Sequence, residues 1–318
     1  MQNTPLVSVI IPNYNRPELL LEAITSIAAQ TMTDWETIIV DDGSNPPVNE
    51  QDIQARFGNQ FQVLRHAVAR GGPVAKNAGI NTATGKYLAF LDDDDLFAPT
   101  YLASAIEILE TNPQISTLFM GVKCFGSNAE WAQSDFDKTM EKTLADAQGL
   151  YKTGQLLQFD ERLFIALLKS VPMSFQRPVT TRAHFHEVGL YLPDSPLWDC
   201  DWALRAALNN VCGLFNAGLY LQRTSGQGYC SNTNRRLEHT LWGFAMKQQL
   251  LADPLADTYK KQLTEAVMEA GRSVAWECME QDQGLKAFTT LLGTLRYGIN
   301  ALQIKFLLHS LYSCVSKK

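Results

Sequence analysis

The sequence predicts an α/β fold on a mostly parallel sheet, followed by a helical carboxyl-terminal extension. Three observations predict it. From Leu6 to Leu109, short β-branched runs alternate with helical segments, the pattern of right-handed strand–helix–strand units. Two of those runs end in carboxylates, Asp41-Asp42 and the four consecutive residues Asp92 to Asp95. From Arg235 onward, apolar residues recur at helical spacing almost to the end.

Leu6 to Ile11 is short and β-branched and is stopped by Pro12, which makes it a buried strand. Pro17 opens a helix in which Leu20, Ala23, Ile24, Ile27 and Ala28 recur three and four apart. Glu36 to Val40 is the next strand and runs into Asp41-Asp42-Gly43-Ser44. Phe61 to Arg65 is a weaker third strand, and Gly71-Gly72-Pro73 turns the chain into a helix carrying Val74, Ala75, Ala78 and Ile80. Tyr87 to Leu91 is the fourth strand, with a helix over Pro99 to Leu109. Beyond Ile115 the pattern loosens. Loops and short helices are expected over Ser127 to Gln158, an amphipathic helix over Asp160 to Leu168, a turn at Pro193-Asp194 and a helix over Asp201 to Leu208. These breaks divide the chain into residues 1–115, 116–234 and 235–318.

Bulk properties narrow the function. The 318 residues are 46% hydrophobic, enough for a real core. A net charge of −6 and a pI near 5.4 exclude a nucleic-acid binder, which needs a dominant basic face. The scattered Cys124, Cys200, Cys212, Cys230, Cys278 and Cys314 form no metal-ligand spacing and read as reduced thiols of a cytoplasmic protein. Leu6 to Ile11 is too short for a secretion signal, and no stretch is long enough to span a membrane.

The acidic strand ends carry the chemistry. Four adjacent like charges are tolerated beside a buried strand only when something positive neutralises them. At the carboxyl end of a parallel strand, where ligands bind in open α/β sheets, a hard divalent cation shared with phosphates is the natural neutraliser. Asp41-Asp42 read alone is ordinary turn chemistry, whereas for Asp92 to Asp95 the plain alternative, an exposed acidic loop, is disfavoured by the buried strand that precedes it. The two clusters together point to a metal-assisted enzyme acting on a phosphorylated compound.

Four segments then resemble one family in order and spacing. Val7-Ser-Val-Ile-Ile-Pro-Asn-Tyr-Asn15, Ile39-Val-Asp-Asp-Gly-Ser44, Ala75-Lys-Asn-Ala-Gly79 and Phe90-Leu-Asp-Asp-Asp-Asp95 resemble the nucleotide-sugar-binding half of the family 2 glycosyltransferases. The resemblance covers about the first 115 residues. It implies a GT-A fold, a Rossmann-like sheet with the donor at its carboxyl edge and the acceptor portion after it. It also implies inverting transfer from a UDP-sugar with Mn²⁺ or Mg²⁺. By the match, Pro12 and Tyr14 contact the base, and Asp42, with Asp41 beside it, reads the uracil edge. Asp94 is the first metal ligand, with Asp92 or Asp93 on ribose and Asp92 the second candidate ligand. Lys76 stands where an Arg is frequent and either meets the base or a phosphate or is a solvated helix lysine.

Inverting transfer needs a carboxylate to take the acceptor's proton. Pro196 to Arg205 resembles the family's Glu-Asp-x-Asp segment, which puts Asp199 at the base position and Asp201 at the helix start; Trp198 replaces the Glu. Read as residues alone, both aspartates could simply serve a helix start, where acids are favoured. Arg182, Arg223 and Asp201 are candidate contacts to diphosphate or acceptor. Leu221 to Gly226 lacks the His that many relatives carry there, and the processive Gln-x-x-Arg-Trp element is missing, so transfer of one sugar is expected. The acceptor would be a carbohydrate or a lipid-linked one. Leu285 to Val315 is helical in pattern and basic without counter-charges; it suits an anionic membrane surface, packing on the catalytic domain, or a homodimer interface. Two other classes compete with this reading. A phosphorylated receiver domain fails on element order and length, and a catalytically inactive relative that only binds nucleotide sugars draws on Trp198 and the missing His.

Overall fold

A computed structural model describes residues 4–208, 210–224 and 236–315. Cys230, Lys317 and Lys318 lie outside the described residues, as do Ser225 and Gly226 of the segment that lacks the His. The strands are β1 (Val7–Asn13), β2 (Trp35–Asp41), β3 (Phe61–Arg65), β4 (Tyr87–Phe90), β5 (Leu96–Phe97), β6 (Thr117–Phe125), β7 (Leu150–Thr153), β8 (Leu156–Phe159), β9 (Pro178–Thr181) and β10 (Cys212–Arg223). They form one ten-stranded sheet in the order β3-β2-β1-β4-β9-β6-β10-β8-β7, with β5 paired to β10. The mostly parallel α/β class read from the sequence is thus observed.

The first half follows from its residues. Val7 to Ile11 and Thr37 to Asp41 are buried on both faces, as strands of a helix-covered parallel sheet must be. β1 pairs in parallel with β2 along its full length but with β4 only as far as Ile10. Pro12, which has no N–H to give, therefore sits where β4 no longer needs a donor. Past that point the chains after β1 and β4 diverge. Strand order reverses direction here, with β2 and β3 on one side and β4 on the other, and such a switch point opens a crevice at the carboxyl ends.

The second half is where expectation and structure part. Ser127 to Gln158 does not form loops and short helices. Its main element is the 19-residue helix Ala129–Ala147, which buries only Met140, Thr143 and Ala147. Good helix formers fill it, but so narrow an apolar stripe carries little periodicity. The helix expected from Asp201 starts earlier and spans Trp198–Ala207, so Asp199 and Asp201 both lie in its first turn. Most consequential is β9, inserted antiparallel between β4 and β6. It brings residues from after position 116 into the same sheet as the first 115.

Two compact units result: residues 1–194 with 198–227, and residues 195–197 with 228–318. The second contains the helices Arg236–Ala252, Lys260–Glu280, Gly284–Thr294 and Ala301–Val315. Its own small core includes Leu237, Val274, Ala275, Cys278, Ala287 and Leu291. No described helix is long and apolar enough to cross a membrane.

Gly85, just before β4, is fixed by close approach to β1. A Cβ there would lie 2.7 Å from the Ser8 nitrogen and 2.9 Å from the Val7 carbonyl carbon. Backbone cannot yield as a side-chain tip does, so Gly85→Ala is expected to lower stability by about 1–3 kcal/mol, read as a lower urea midpoint.

Candidate active site at the carboxyl edge of the sheet

The loop after β1 and the acidic loop after β4 face each other across the crevice and are bonded together. Asn13 donates from Nδ2 to Asp93 at 2.8 Å, and Arg16 donates to both Asp93 and Asp94 at 3.0 Å. Burial, with Asp94 adding repulsion against the opposing pull of Arg16, pushes the Asp93 carboxyl up to about 6. Burial and neighbouring Asp92 also raise Asp94.

Asp92 receives the Lys76 ammonium at 2.7 Å and Arg177 at 3.1 Å. Burial alone would raise its pKa, but these two cations hold the carboxyl well below the usual range. Lys76 is buried with its Nζ 4.5 Å from the centre of the Trp198 ring, so the solvated-lysine alternative does not hold. Trp198 thereby supplies an aromatic face to Lys76 where a Glu was expected. Asp95 accepts from the Tyr220 hydroxyl at 2.9 Å and from the Arg223 backbone N–H at 2.8 Å, and burial pushes it up to about 7. The Tyr220 oxygen also accepts the Asp92 N–H, and Arg223 donates from Nε to the Asp94 carbonyl, so β10 clamps the loop at several points. The Arg223 guanidinium is further tied to Glu22 at 2.6 Å.

Asp41 and Asp42 organise the neighbouring loops. Asn13, Asp41 and Arg65 stand in register across the ends of β1, β2 and β3. Asp41 is fully buried and pairs with Arg65, while accepting the backbone N–H groups of Ser44 and Val48 at 2.8 and 3.0 Å. Asp42 accepts from the N–H groups of Arg70 and Gly71 and pairs with His66 at 2.6 Å, which fixes the approach to the helix Gly72–Thr82. The two acidic clusters meet only through an intermediary: the Asn13 carbonyl accepts the Asp42 N–H while its side chain holds Asp93.

Asp41 gives a pH prediction. Burial alone would raise its pKa, yet the Ser44, Val48 and Arg65 hydrogen bonds hold it below the ordinary 3.8. A carboxyl depressed on folding adds stability above its unfolded pKa, and that stability is lost as pH falls through the folded value. Acid titration followed by circular dichroism is expected to show a flatter loss of stability below about pH 4 in Asp41→Asn than in the unsubstituted protein.

The remaining sequence candidates separate. Asp199 is partly buried at the start of the helix Trp198–Ala207 and accepts the Cys200 N–H at 2.8 Å. Burial raises its pKa against the opposing charges of Arg177 and Lys76. Asp201, two residues on, is buried and bound to Arg205 at 2.8 Å, which in turn donates to the carbonyls of Val188, Gly189 and Leu190. Its partner is a structural arginine. Arg182 begins the helix Arg182–Val188 and its N–H bonds the Lys86 carbonyl, at the amino end of β4. Because β9 is antiparallel to β4, Arg182 lies at the opposite sheet edge, and Arg177, just before β9, reaches the acidic loop instead. Sequence reading missed Arg177, Arg16, Asn13, Arg65, His66 and Tyr220. Arg16 and Asn13 were findable as polar residues closing a strand whose neighbours end in acids. Arg177 was hidden by topology.

The charge of Asp92 to Asp95 is thus met in this structure by Arg16, Lys76 and Arg177 rather than by an ion alone. Among the described residues no group of three His, Cys, Asp or Glu side chains is arranged to hold a metal. Side-chain exposure nevertheless alternates: Asp92 and Asp94 keep 29% and 18%, while Asp93 and Asp95 keep 8% and 4%. Two outward carboxylates fit a hard cation that takes most of its ligands from phosphates, and do not fit an all-protein cage.

Residues 8–168, just over half of the chain, match the family model described as glycosyl transferase family 2. The chain belongs to that family. Among curated relatives, an uncharacterized glycosyltransferase of Haemophilus influenzae is 33% identical over 119 residues, covering 37% of this chain and 40% of that one. The uncharacterized glycosyltransferase YibD of Escherichia coli is 33% identical over 159 residues, covering 49% and 42%. The matched region is therefore less than half of either relative. Among solved structures, S. aureus TarS 1–349 in complex with UDP-GlcNAc aligns with a TM-score of 0.66 at 15% identity, over 97% of this chain and 87% of that one. Mannosyltransferase PcManGT from Pyrobaculum calidifontis, in complex with GDP-Man and Mn²⁺, aligns at 0.53 and 17% identity, over 99% and 87%. At such identity these likenesses establish the fold, the GT-A-like sheet anticipated for this family.

Proposed function

We propose that this family 2 member is a metal-dependent, inverting glycosyltransferase that moves one sugar from a nucleotide sugar, a UDP-sugar, to a hydroxyl of a carbohydrate or lipid-linked acceptor. The observation that carries the reading is the meeting of charges at Arg177, which pairs with Asp92, lies 3.7 Å from Asp95 and feels the charge of Asp199. It joins the acidic loop after β4 to the helix that starts at Trp198. Among the described residues its buried Nε has no hydrogen-bond partner, a donor left for a ligand oxygen.

In this reading the base lies against Pro12 and the exposed Tyr14, with Asp42 fixing the adjoining loop and Asp93 on the ribose side. Asp94 and Asp92 would hold Mn²⁺ or Mg²⁺, which supplies positive charge to the diphosphate. Lys76 keeps Asp92 ionised and oriented, and Arg223 fixes the loop that carries Asp94. Asp199 takes the proton from the acceptor hydroxyl as that oxygen forms its bond to the anomeric carbon. Attack comes from the face opposite the diphosphate, whose oxygen leaves with the electron pair of the broken C–O bond, and configuration inverts. The raised pKa of Asp199 marks a stronger base than an ordinary carboxylate.

Incubation with a panel of UDP- and GDP-sugars and Mn²⁺ tests the reading. Slow release of UDP, with a melting temperature that rises with UDP-sugar, is expected. Neither release nor a shift with any nucleotide sugar would refute it, and a shift without release would leave a binding protein in its place.

A further inference from the structure

The last helix of the second unit carries apolar residues on two faces: Phe306 and Leu307 pack on the unit's core, and a second set faces away from it. Ala301–Val315 buries Gln303 and Ser310 completely, each 0% exposed. Ile304, Leu308, Leu311 and Tyr312 point outward, with Leu308 62% and Tyr312 71% exposed. At ~100° per residue these four fall on one side of the helix, with Lys305 and His309 on its border. A helix packed for burial alone would rotate Leu308 and Leu311 to where Gln303 and Ser310 lie.

Hydrogen bonds prevent that rotation. The Gln303 carbonyl oxygen accepts from Arg272 at 2.8 Å, and its amide nitrogen donates to Thr294. The Gln303 backbone N–H donates to Asn300 at 2.8 Å. A buried amide satisfied on both ends fixes helix orientation, because any rotation would strand it without partners. The outward apolar stripe is therefore built in. The preceding helix Gly284–Thr294 and its exit add exposed Leu285, Leu292 and Ile299.

Charge decides what covers this face. From Gln283 to Lys318 there is no Asp or Glu, while Lys286, Arg296, Lys305, Lys317 and Lys318 are basic, in a chain whose net charge is −6. Among the described residues, Lys286, Arg296 and Lys305 are exposed and make no ion pair with a carboxylate. A second copy would bring the same positive face against itself, which repels. An anionic lipid surface supplies both an apolar layer and opposite charge, and it is matched by apolar residues bordered by cations.

We infer that the helices Gly284–Thr294 and Ala301–Val315 form a docking face for an anionic lipid bilayer, with Ile304, Leu308, Leu311 and Tyr312 entering the interface. The face holds the protein on the membrane without crossing it. Such docking deepens the proposal of a lipid-linked acceptor, yet vesicle binding requires neither donor nor catalysis, so either idea can fail without the other.

Cosedimentation of the full chain with vesicles of phosphatidylcholine, alone or mixed with phosphatidylglycerol, tests it. Binding is expected only with phosphatidylglycerol and is expected to fall steeply with salt. Removing the charge of Lys286, Arg296 and Lys305 together with Gln is expected to lower partitioning about a hundredfold, taking about fivefold per cation. Leu308→Ser with Tyr312→Ser should weaken binding similarly while leaving the melting temperature unchanged, since both side chains are already in water. Three outcomes would overturn the inference: no binding to phosphatidylglycerol vesicles at low salt, equal binding to phosphatidylcholine alone, or a dimer that Leu308→Ser dissociates while vesicles capture nothing.

Discussion

Replacing Arg177 by methionine is expected to lower folding stability by about 3–5 kcal/mol and to abolish sugar transfer. The side chain is buried, within 3.1 Å of Asp92 and 3.7 Å of Asp95, and its guanidinium lies over the Tyr220 ring at 4.6 Å. Asp92 would keep Lys76, but Asp95 would retain only neutral donors, the Tyr220 hydroxyl and the Arg223 N–H. A buried carboxylate stripped of its cation loses far more than the intact pair contributed, which is why the loss is large. Urea denaturation read by tryptophan fluorescence measures it. Combining Arg177→Met with Asp95→Asn should recover part of the loss, because the stranded charge is then gone. Additive losses would show that Arg177 stabilises through packing alone. Arg177→Lys should rescue little, since one ammonium on a flexible stem cannot face two carboxylates and stack on a ring at once.

Which parts of this arrangement could be read from the sequence follows from how local each signal is. The strands before position 115 are legible because each is a short β-branched run buried on both faces, followed by a turn or a proline. The acidic strand ends are legible too, and motif neighbours single out Asp199 and Lys76, whose charges the structure brings together. Partners are the illegible part. Asp41 meets Arg65 because β2 and β3 are adjacent and in register, and nothing near Asp41 in the chain announces that. Asp92 to Asp95 suggested an ion, yet Arg16, Lys76 and Arg177 arrive from three separate segments to meet the same need. Arg182 and Arg177 show the limit most clearly. They lie five residues apart on either side of one strand, and only the antiparallel direction of β9 decides which faces the crevice. In a sheet read as mostly parallel, the residue after a strand is the natural candidate. β9, the neighbour of β4 that breaks this rule, puts Arg177 rather than Arg182 at the crevice.

Asp199→Asn is expected to lower kcat by about 10²–10⁴ while leaving donor affinity unchanged. The two amino acids have nearly the same shape, and the Asn side-chain oxygen can still accept the Cys200 N–H that Asp199 accepts. The fold and the helix start should therefore survive, and only the capacity to take a proton is removed. Calorimetric titration with UDP and Mn²⁺ reads binding, and a coupled UDP-release assay with acceptor reads turnover. In the unsubstituted enzyme, the acid limb of kcat/KM should lie above the ordinary carboxylate range, because burial raises the Asp199 pKa. Asp94→Ala should behave oppositely, losing metal-dependent UDP binding together with turnover, because it removes one of the two outward carboxylates. This split distinguishes base from ligand. If Asp199→Asn transfers sugar at the full rate, the proton is going elsewhere. Asp201 would be a poor substitute: its carboxylate is already committed to Arg205, and removing it should show as lost stability before lost chemistry.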